Sequence, residues 1–239
     1  MDFSKRSYEK ELLDSDNLAV ADLHLNLKEL EIINKHLGGH EITLKGFRAL
    51  ARMRKTISIC EVGCGGGDNL KAIDKWCSGH EIKTELTGID INKDCIEYAT
   101  ENCNKIKNIK FITSDYKEVS FQLNKPDILF SSLFCHHLNH DQLIELLNWS
   151  RQNSSIGFFI NDLHRNPLAY YSIKLLSKLF SRSYLVKNDA PLSVKRSFKK
   201  DDWINLLRQS GINKYSISWE WAFRWLVIVN NEDIKDIRH

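Results

Sequence analysis

Residues 61–68 read EVGCGGGD, with glycines at 63, 65, 66 and 67 set between two carboxylates. A loop of that composition can bring bare backbone very close to a ligand. The dinucleotide fingerprint G-x-G-x-x-G needs its third glycine at position 68, where this chain has Asp68. A carboxylate at a helix start repels a pyrophosphate and suits a ligand that carries positive charge. Gly67 supplies an alternative third glycine, giving E-x-G-x-G-x-G from Glu61 to Gly67. A second constellation, SSLFCHHLNH at 131–140, holds His136, His137 and His140, and a third, NDLHR at 161–165, holds Asp162, His164 and Arg165. Imidazole changes charge nearest neutral pH, so His136, His137 and His164 are candidate general bases, the last oriented by Asp162. Arg165 would pair an acidic group of a substrate, or only Asp162. His136 and His140 have i,i+4 spacing, but no carboxylate accompanies them as in H-E-x-x-H, so no metal site is expected. The plainer use of two of these histidines is one packed under a sheet edge and one capping the following helix.

The surrounding elements place these residues. Residues 24–37 and 41–53 carry apolar side chains at helical spacing, and the glycines at 38 and 39 suit the end of the first helix. From Lys55 the rhythm changes to short apolar runs alternating with amphipathic ones. TISICEV, ELTGIDI, IKFITSD, PDILFSSLF and IGFFIND read as strands, with DNLKAIDKWC, KDCIEYATENC and HDQLIELLNWSRQ as helices between them. Such alternation means βαβ units and a parallel sheet buried on both faces. DDWINLLRQSG then reads as a helix ended by Gly211, and YSISWEW with FRWLVIV as a closing hairpin whose last strand runs antiparallel. PLAYYSIKLLSKLF at 167–180 interrupts the rhythm. A structureless loop of that length is unusual in a compact domain, so the segment predicts a helical insertion at the carboxyl edge of the sheet, where ligands bind.

At 239 residues and 42% hydrophobic, the chain is long enough for a sizeable core, and eleven glycines with three prolines do not describe a fibrous or disordered protein. A formal charge of +3 is too mild to imply nucleic acid, and KRSFKK at 195–200 suits a solvated helix start. The six cysteines form no CxxC pair, the first sixteen residues contain no apolar signal region, and no apolar run reaches membrane-spanning length. These features predict a cytoplasmic chain with reduced thiols, no membrane span and a small-molecule partner, as monomer or homodimer.

The glycine motif, Asp90 at the end of ELTGID and Asp115 after FITSD together resemble the class I S-adenosylmethionine-dependent methyltransferases, in the order of the whole fold. The resemblance implies a Rossmann-like, doubly wound α/β fold. It has a mostly parallel seven-stranded sheet with an antiparallel last strand. N-terminal helices (1–54) precede the domain (55–239), and a helical lid is inserted at about 163–198. It implies S-adenosylmethionine as cofactor and S-adenosylhomocysteine as product. Glu61 would serve the methionine ammonium, with Gly63, Cys64 and Gly65 passing beneath the methionine. Asp90 and Ile91 would serve the ribose, Asp115 and Tyr116 the adenine, and Ser131 the end of the fourth strand. The Asn/Asp-Pro-Pro-Tyr/Phe motif of amino-group methyltransferases is absent after that strand, which disfavours RNA and other amino acceptors. The acids that magnesium-dependent catechol methyltransferases place there are also absent.

EVGCGGGD, SSLFCHHL and NDLHRNPLAYY, with the LGGH turn, further resemble small-molecule methylases related to the ubiquinone and menaquinone group. That implies a hydroxylated, apolar aromatic or polyketide-like acceptor, methylated on oxygen or on an activated ring carbon. A neutral imidazole with pKa near ~6.5 can take the proton of a phenol with pKa near ~10. Arg165, Tyr170, Tyr171 and Leu175 are the expected acceptor contacts. With Leu168, Leu176, Leu179 and Phe180, the apolar ones would form a roof, and the segment around Arg6 and Tyr8 would close over the cofactor.

Overall fold

The computed structural model describes residues 2–231 except Asp16, Asn17, Met53 and Leu123, so the end of the second predicted helix at Met53 lies outside the described residues. Two helices come first, α1 (Val20–His36) and α2 (Gly39–Ala51). They meet at Gly38, whose φ of 78° is the left-handed conformation that glycine adopts without strain. Gly39 already belongs to the second helix. The alternating part follows as β1 (Thr56–Val62), α3 (Asp68–Ser78), β2 (Lys83–Asp90), α4 (Lys93–Asn102), β3 (Ile109–Thr113), β4 (Ile128–Ser132), α5 (His140–Asn153) and β5 (Gly157–Leu163). The insertion is two helices, α6 (Pro167–Phe180) and α7 (Tyr184–Arg196), before α8 (Lys200–Gln209) and the hairpin β6 (Ser216–Glu220) and β7 (Arg224–Asn230). Sequence periodicity had marked only the first of the two inserted helices. α7 holds Pro191 and a mixed surface, so no clean apolar stripe announces it. No helix among the described residues is long and apolar enough to cross a membrane.

The sheet order is β3-β2-β1-β4-β5-β7-β6. Strands β1 to β5 pair in parallel, while β7 lies antiparallel between β5 and β6. The fold is therefore the doubly wound α/β arrangement with an antiparallel last strand. The order of strand addition reverses between β1 and β4, which opens a crevice at their carboxyl ends. Strand alternation sends Ile57, Ile59, Ile128, Phe130, Phe159 and Leu226 to one face, under α2, α3 and α4. Cys60, Val62, Leu129, Phe158, Ile160 and Val227 face the other way, under α5 and α8, with Trp203 fully buried among them. Both faces are covered by helices, as a parallel sheet requires.

α2 sits close against β5 and β7 because Gly46 presents no side chain there: a Cβ would come within 2.6 Å of the Phe159 ring and 3.0 Å of Leu226. Gly→Ala inside a helix ordinarily stabilises by about 1 kcal/mol. Here overpacking should reverse the sign, and Gly46→Ala should destabilise by about 1–3 kcal/mol in urea unfolding. A stabilised variant would show that α2 is free to move off the sheet.

Candidate active site

β1 ends in the glycine loop. Gly63, Gly65 and Gly67 all have positive φ. At Gly63 a Cβ would lie 2.3 Å from the Phe134 ring, so this turn excludes every larger residue. The Cys64 side chain turns into the core and leaves its backbone at the loop surface. Asp90, at the end of β2, accepts the Gly65 N–H at 2.9 Å and the Asn92 N–H at 2.9 Å. Those bonds tie the loop to the next strand, and the remaining lone pairs of the carboxylate stay available to hydroxyls. Glu61 is fully buried and accepts Asn69 Nδ2 at 3.0 Å through one oxygen, while its other oxygen has no partner. Burial first, and then Asp68 and Asp90, push its carboxyl well above the usual range.

Two adjoining cavities follow these strand ends. The first is lined by Gly63, Asp90, Ile91, Ser114, Asp115, Tyr116 and others, and encloses about 210 Å3. Asp115 starts a turn at Tyr116–Glu118 by accepting the Lys117 N–H. Tyr116 is itself 6% exposed and packs edge-on to Phe134 and Trp149. The second cavity runs along the loop past Glu61, Gly65, Asp90, Ser132, Leu133 and His137. Ile91, 73% exposed, borders both. Ser131 borders neither: it points to the opposite face of β4 and meets Cys135. The next residue, Ser132, lines the second cavity with a buried hydroxyl that has no partner. A strand alternates with period two, so a one-residue difference changes the face. Asp68 lines the same cavity, but its carboxylate is engaged by His40 Nε2 at 2.7 Å and Asn34 at 3.1 Å. Those bonds outweigh its burial and keep its pKa below the ordinary carboxylate value.

A third cavity lies beyond Leu133 and His137, which wall it off from the second. It is enclosed by α1, α6 and α7 and measures about 150 Å3, with Leu30, Ile33, Ala169, Ile173 and Val186 as apolar lining. Its polar lining includes Glu11, His136, His137 and Arg224. Leu133 holds φ at 53°, an uncommon conformation for a branched residue, at the boundary itself. Arg224, 2% exposed, donates to Asn34 at 2.8 Å, and burial brings its pKa down to about 10.

His136 and His137 sit in a short turn after β4 and are each anchored by a carboxylate. His136 Nδ1 is 2.8 Å from Asp162 Oδ1, and His137 Nδ1 is 2.9 Å from Asp14 Oδ1. An ionised carboxylate only accepts, so Nδ1 carries a proton in each ring, and in the neutral imidazole Nε2 is then the nitrogen with the lone pair. Both Nε2 atoms face Glu11, each 3.8 Å from one of its oxygens. Glu11 is 4% exposed, and burial pushes its carboxyl up to about 7. The pairing of His136 holds Asp162 below the usual range despite complete burial.

Other expected site residues go elsewhere. Asp162 serves His136, and His164 lies beyond the end of β5, where it accepts Trp219 Nε1 at 3.3 Å and packs on Trp225. Arg165 makes no hydrogen bond to Asp162 and lines none of these three cavities. It is 2% exposed and donates to the carbonyls of Phe3, Ser4 and Ser197 and to Asp202 at 3.0 Å. Tyr170 packs inward against Phe3 and Val194, away from the third cavity. Tyr171 and Leu175 face outward, 57% and 59% exposed, as do Leu168, Leu179 and Phe180. The face of α6 that reaches the cavity carries Ala169 and Ile173 instead. Arg6 clamps the carbonyls of Arg196 and Leu138 and stacks on Phe198, so the N-terminal segment straps the histidine turn. Tyr8 is largely exposed, and Leu13 and Asp14 are the strap residues that reach the cofactor-side cavity. His140 bonds Gln209, and the cap of α5 is Asn139.

Residues 59–153 match the family model described as a methyltransferase domain. This segment is a methyltransferase domain. A curated relative, the mitochondrial ubiquinone biosynthesis O-methyltransferase of Saccharomyces cerevisiae, is 27% identical over 124 residues, which are 50% of this chain and 38% of the relative's length. The methyltransferase fold is matched more fully by solved structures. One is the plantazolicin methyltransferase BpumL in complex with S-adenosylhomocysteine, with a TM-score of 0.65 at 18% identity, covering 89% of this chain and 96% of that one. Another is an S-adenosylmethionine-dependent methyltransferase from Aquifex aeolicus, with a TM-score of 0.61 at 18% identity, covering 90% and 99%. The magnesium protoporphyrin IX methyltransferase of Synechocystis PCC 6803, with S-adenosylhomocysteine bound, has a TM-score of 0.54 at 14% identity and covers 82% of each chain. The residues of this methyltransferase domain suit such a ligand: a buried carboxylate oxygen without a partner, a glycine turn that tolerates no side chain, and an acid ending β2.

Arg165 is a staple of the methyltransferase scaffold. Arg165→Gln should cost about 2–4 kcal/mol of stability by leaving buried carbonyls and Asp202 unpaired, measured by chemical unfolding. A variant of unchanged stability would contradict the structural assignment.

Proposed function

We propose that this chain transfers a methyl group from S-adenosylmethionine to the hydroxyl of a small, apolar aromatic or polyketide/quinone-like acceptor. The observation that carries the reading is the wall formed by Leu133 and His137. Together with Leu13 and Leu30 these residues line both the cavity over the glycine loop and the apolar cavity under α6 and α7, so the two cavities adjoin and donor and acceptor would meet at this shared border. The yeast relative, an O-methyltransferase, supports oxygen as the nucleophile.

When bound, S-adenosylmethionine supplies an electrophilic methyl group on a sulfonium. The chain's own residues do the rest. Glu61 and the loop backbone at Gly63, Cys64 and Gly65 would hold the methionine end, Asp90 and Ile91 the ribose, and Asp115 and Tyr116 the adenine. Leu30, Ile33, Ala169, Ile173 and Val186 exclude water around the acceptor and hold it in line, which is the main contribution a protein can make to a direct displacement. His136 or His137 takes the hydroxyl proton on Nε2. Asp162 and Asp14 fix the tautomer that leaves this nitrogen free and stabilise the imidazolium that forms.

Asp90→Ala should weaken S-adenosylhomocysteine binding by about 2–3 kcal/mol in calorimetry, the range for charge-assisted hydrogen bonds. Tight binding of NAD with no heat from S-adenosylhomocysteine would end the methyltransferase reading. His136→Ala or His137→Ala should lower turnover by roughly 10²–10⁴-fold with nearly unchanged cofactor affinity, whereas His164→Ala should keep its turnover. The acceptor for these assays comes from incubating the protein with labelled cofactor and cell extract, then identifying the labelled product by mass spectrometry. Full turnover in both variants would leave proximity alone to carry the reaction.

A further inference from the structure

The turn after β4 and the N-terminal strap meet in a cluster that proton transfer alone does not require. Glu11, His136 and His137 each offer one ligand atom, and these atoms lie within 4.8 Å of one another. We propose that Glu11, His136 Nε2 and His137 Nε2 form a binding site for one divalent transition-metal ion of zinc-like preference. The proposal rests on the acceptor side of the methyltransferase reading and deepens it.

Three independent observations converge. The first is the donor set. Two imidazoles and one carboxylate are the ligands of a catalytic zinc site that keeps one position open, with metal–ligand distances of about 2.0–2.2 Å, and here the three donor atoms already lie within 4.8 Å of one another. The second is the support behind the ligands. Metal-binding histidines characteristically donate their other nitrogen to a carboxylate, which fixes the ring and its tautomer. Both histidines do so, to Asp162 at 2.8 Å and Asp14 at 2.9 Å, and both present Nε2 to Glu11 at 3.8 Å. Glu11 is itself oriented by the Ser193 hydroxyl at 2.9 Å. The third is charge. Asp14, Asp162 and Asp189 surround the cluster with Glu11, while Arg196 lies 3.7 Å from Glu11 and Arg6 bonds the carbonyls of the same turn. With Arg224 of the same cavity counted, four carboxylates face three guanidiniums, an excess of one negative charge when Glu11 is ionised, which a bound cation offsets.

The cluster lines the acceptor cavity, so the open position faces the acceptor hydroxyl. An ion there would supply Lewis-acid activation of the acceptor hydroxyl, whose proton would pass to solvent as the acceptor enters while the O–H electron pair stays on oxygen. The ion then does at this place what the free imidazole does without it. The sequence concealed the site because its third ligand lies 125 residues before the first histidine and reaches it only through the strap.

The test uses the full chain, stripped with chelator and titrated with zinc chloride by calorimetry. One ion per chain should bind to the wild type, with a clear loss of affinity in Glu11→Gln and in His137→Ala. Asp14→Asn, which changes only a positioning residue, should lose about 10–100-fold. Cobalt substituted for zinc should show the visible bands of a nitrogen–oxygen set without thiolate charge transfer, which separates this site from the six cysteines. Thermal melting and S-adenosylhomocysteine binding, measured on every variant, report the fold and the cofactor reading separately. Zinc affinity unchanged in a folded Glu11→Gln or His137→Ala protein would overturn the proposal. So would a wild type that binds no zinc, or a cobalt spectrum dominated by thiolate.

Discussion

A carboxylate without access to water at the centre of an α/β sheet is costly unless other groups partner it. Glu61 imposes that condition on much of the surrounding structure. One of its oxygens accepts Asn69, whose own oxygen accepts the Thr43 hydroxyl, and Thr43 in turn accepts Asn161. Asn161 then meets Arg224, Arg224 donates to Asn34, and Asn34 donates to Asp68. This chain of buried polar groups spans α1, α2, α3, β1, β5 and β7. It begins at the cofactor-side cavity and passes through the wall of the acceptor cavity at Arg224. The two N-terminal helices are therefore part of the site's foundation: without Asn34 and Thr43 the polar layer would be left open.

The end of β5 shows how one strand serves two sites. Asn161 and Asp162 are neighbours, so their side chains leave the sheet on opposite faces. Asn161 joins the Glu61 chain, while Asp162 reaches His136 on the other face. Both are fully buried, and each finds its partner. One residue past the strand the alternation no longer applies. His164 is turned toward the hairpin, and Arg165 is spent on fixing the N-terminal strap to the start of α8.

The strap is what makes the histidine turn a cluster. Leu12 and Leu13 donate their backbone N–H groups to Asp189 of α7, and Arg196 of α7 holds Asp14 and the carbonyls of His136 and His137. Glu11 is delivered between them. The inserted helices thus act through what they hold as well as through what they cover. α6 itself presents Ala169 and Ile173 to the cavity and leaves an apolar stripe facing outward.

The succession of strands and helices, the glycine turn and the acids at or just after the ends of β2 and β3 were legible in the sequence because they are local. Apolar runs of period two, helical runs of period 3.6 and glycines at positive φ each leave a signature within a few residues. That signature named Glu61, Gly63, Asp90 and the histidine turn as groups. It could not choose between Ser131 and Ser132, since the end of a buried strand is apolar on both faces and gives no phase. Nor could it orient α6, because Tyr170, Tyr171, Ile173, Leu175 and Leu176 occupy too much of the circumference to single out one inward side. Glu11, Asp14 and Arg224 were invisible for another reason. They gain their roles through contacts more than a hundred residues apart in the chain, and only the closing of the strap and the hairpin over the sheet edge brings them to His136, His137 and Asn34.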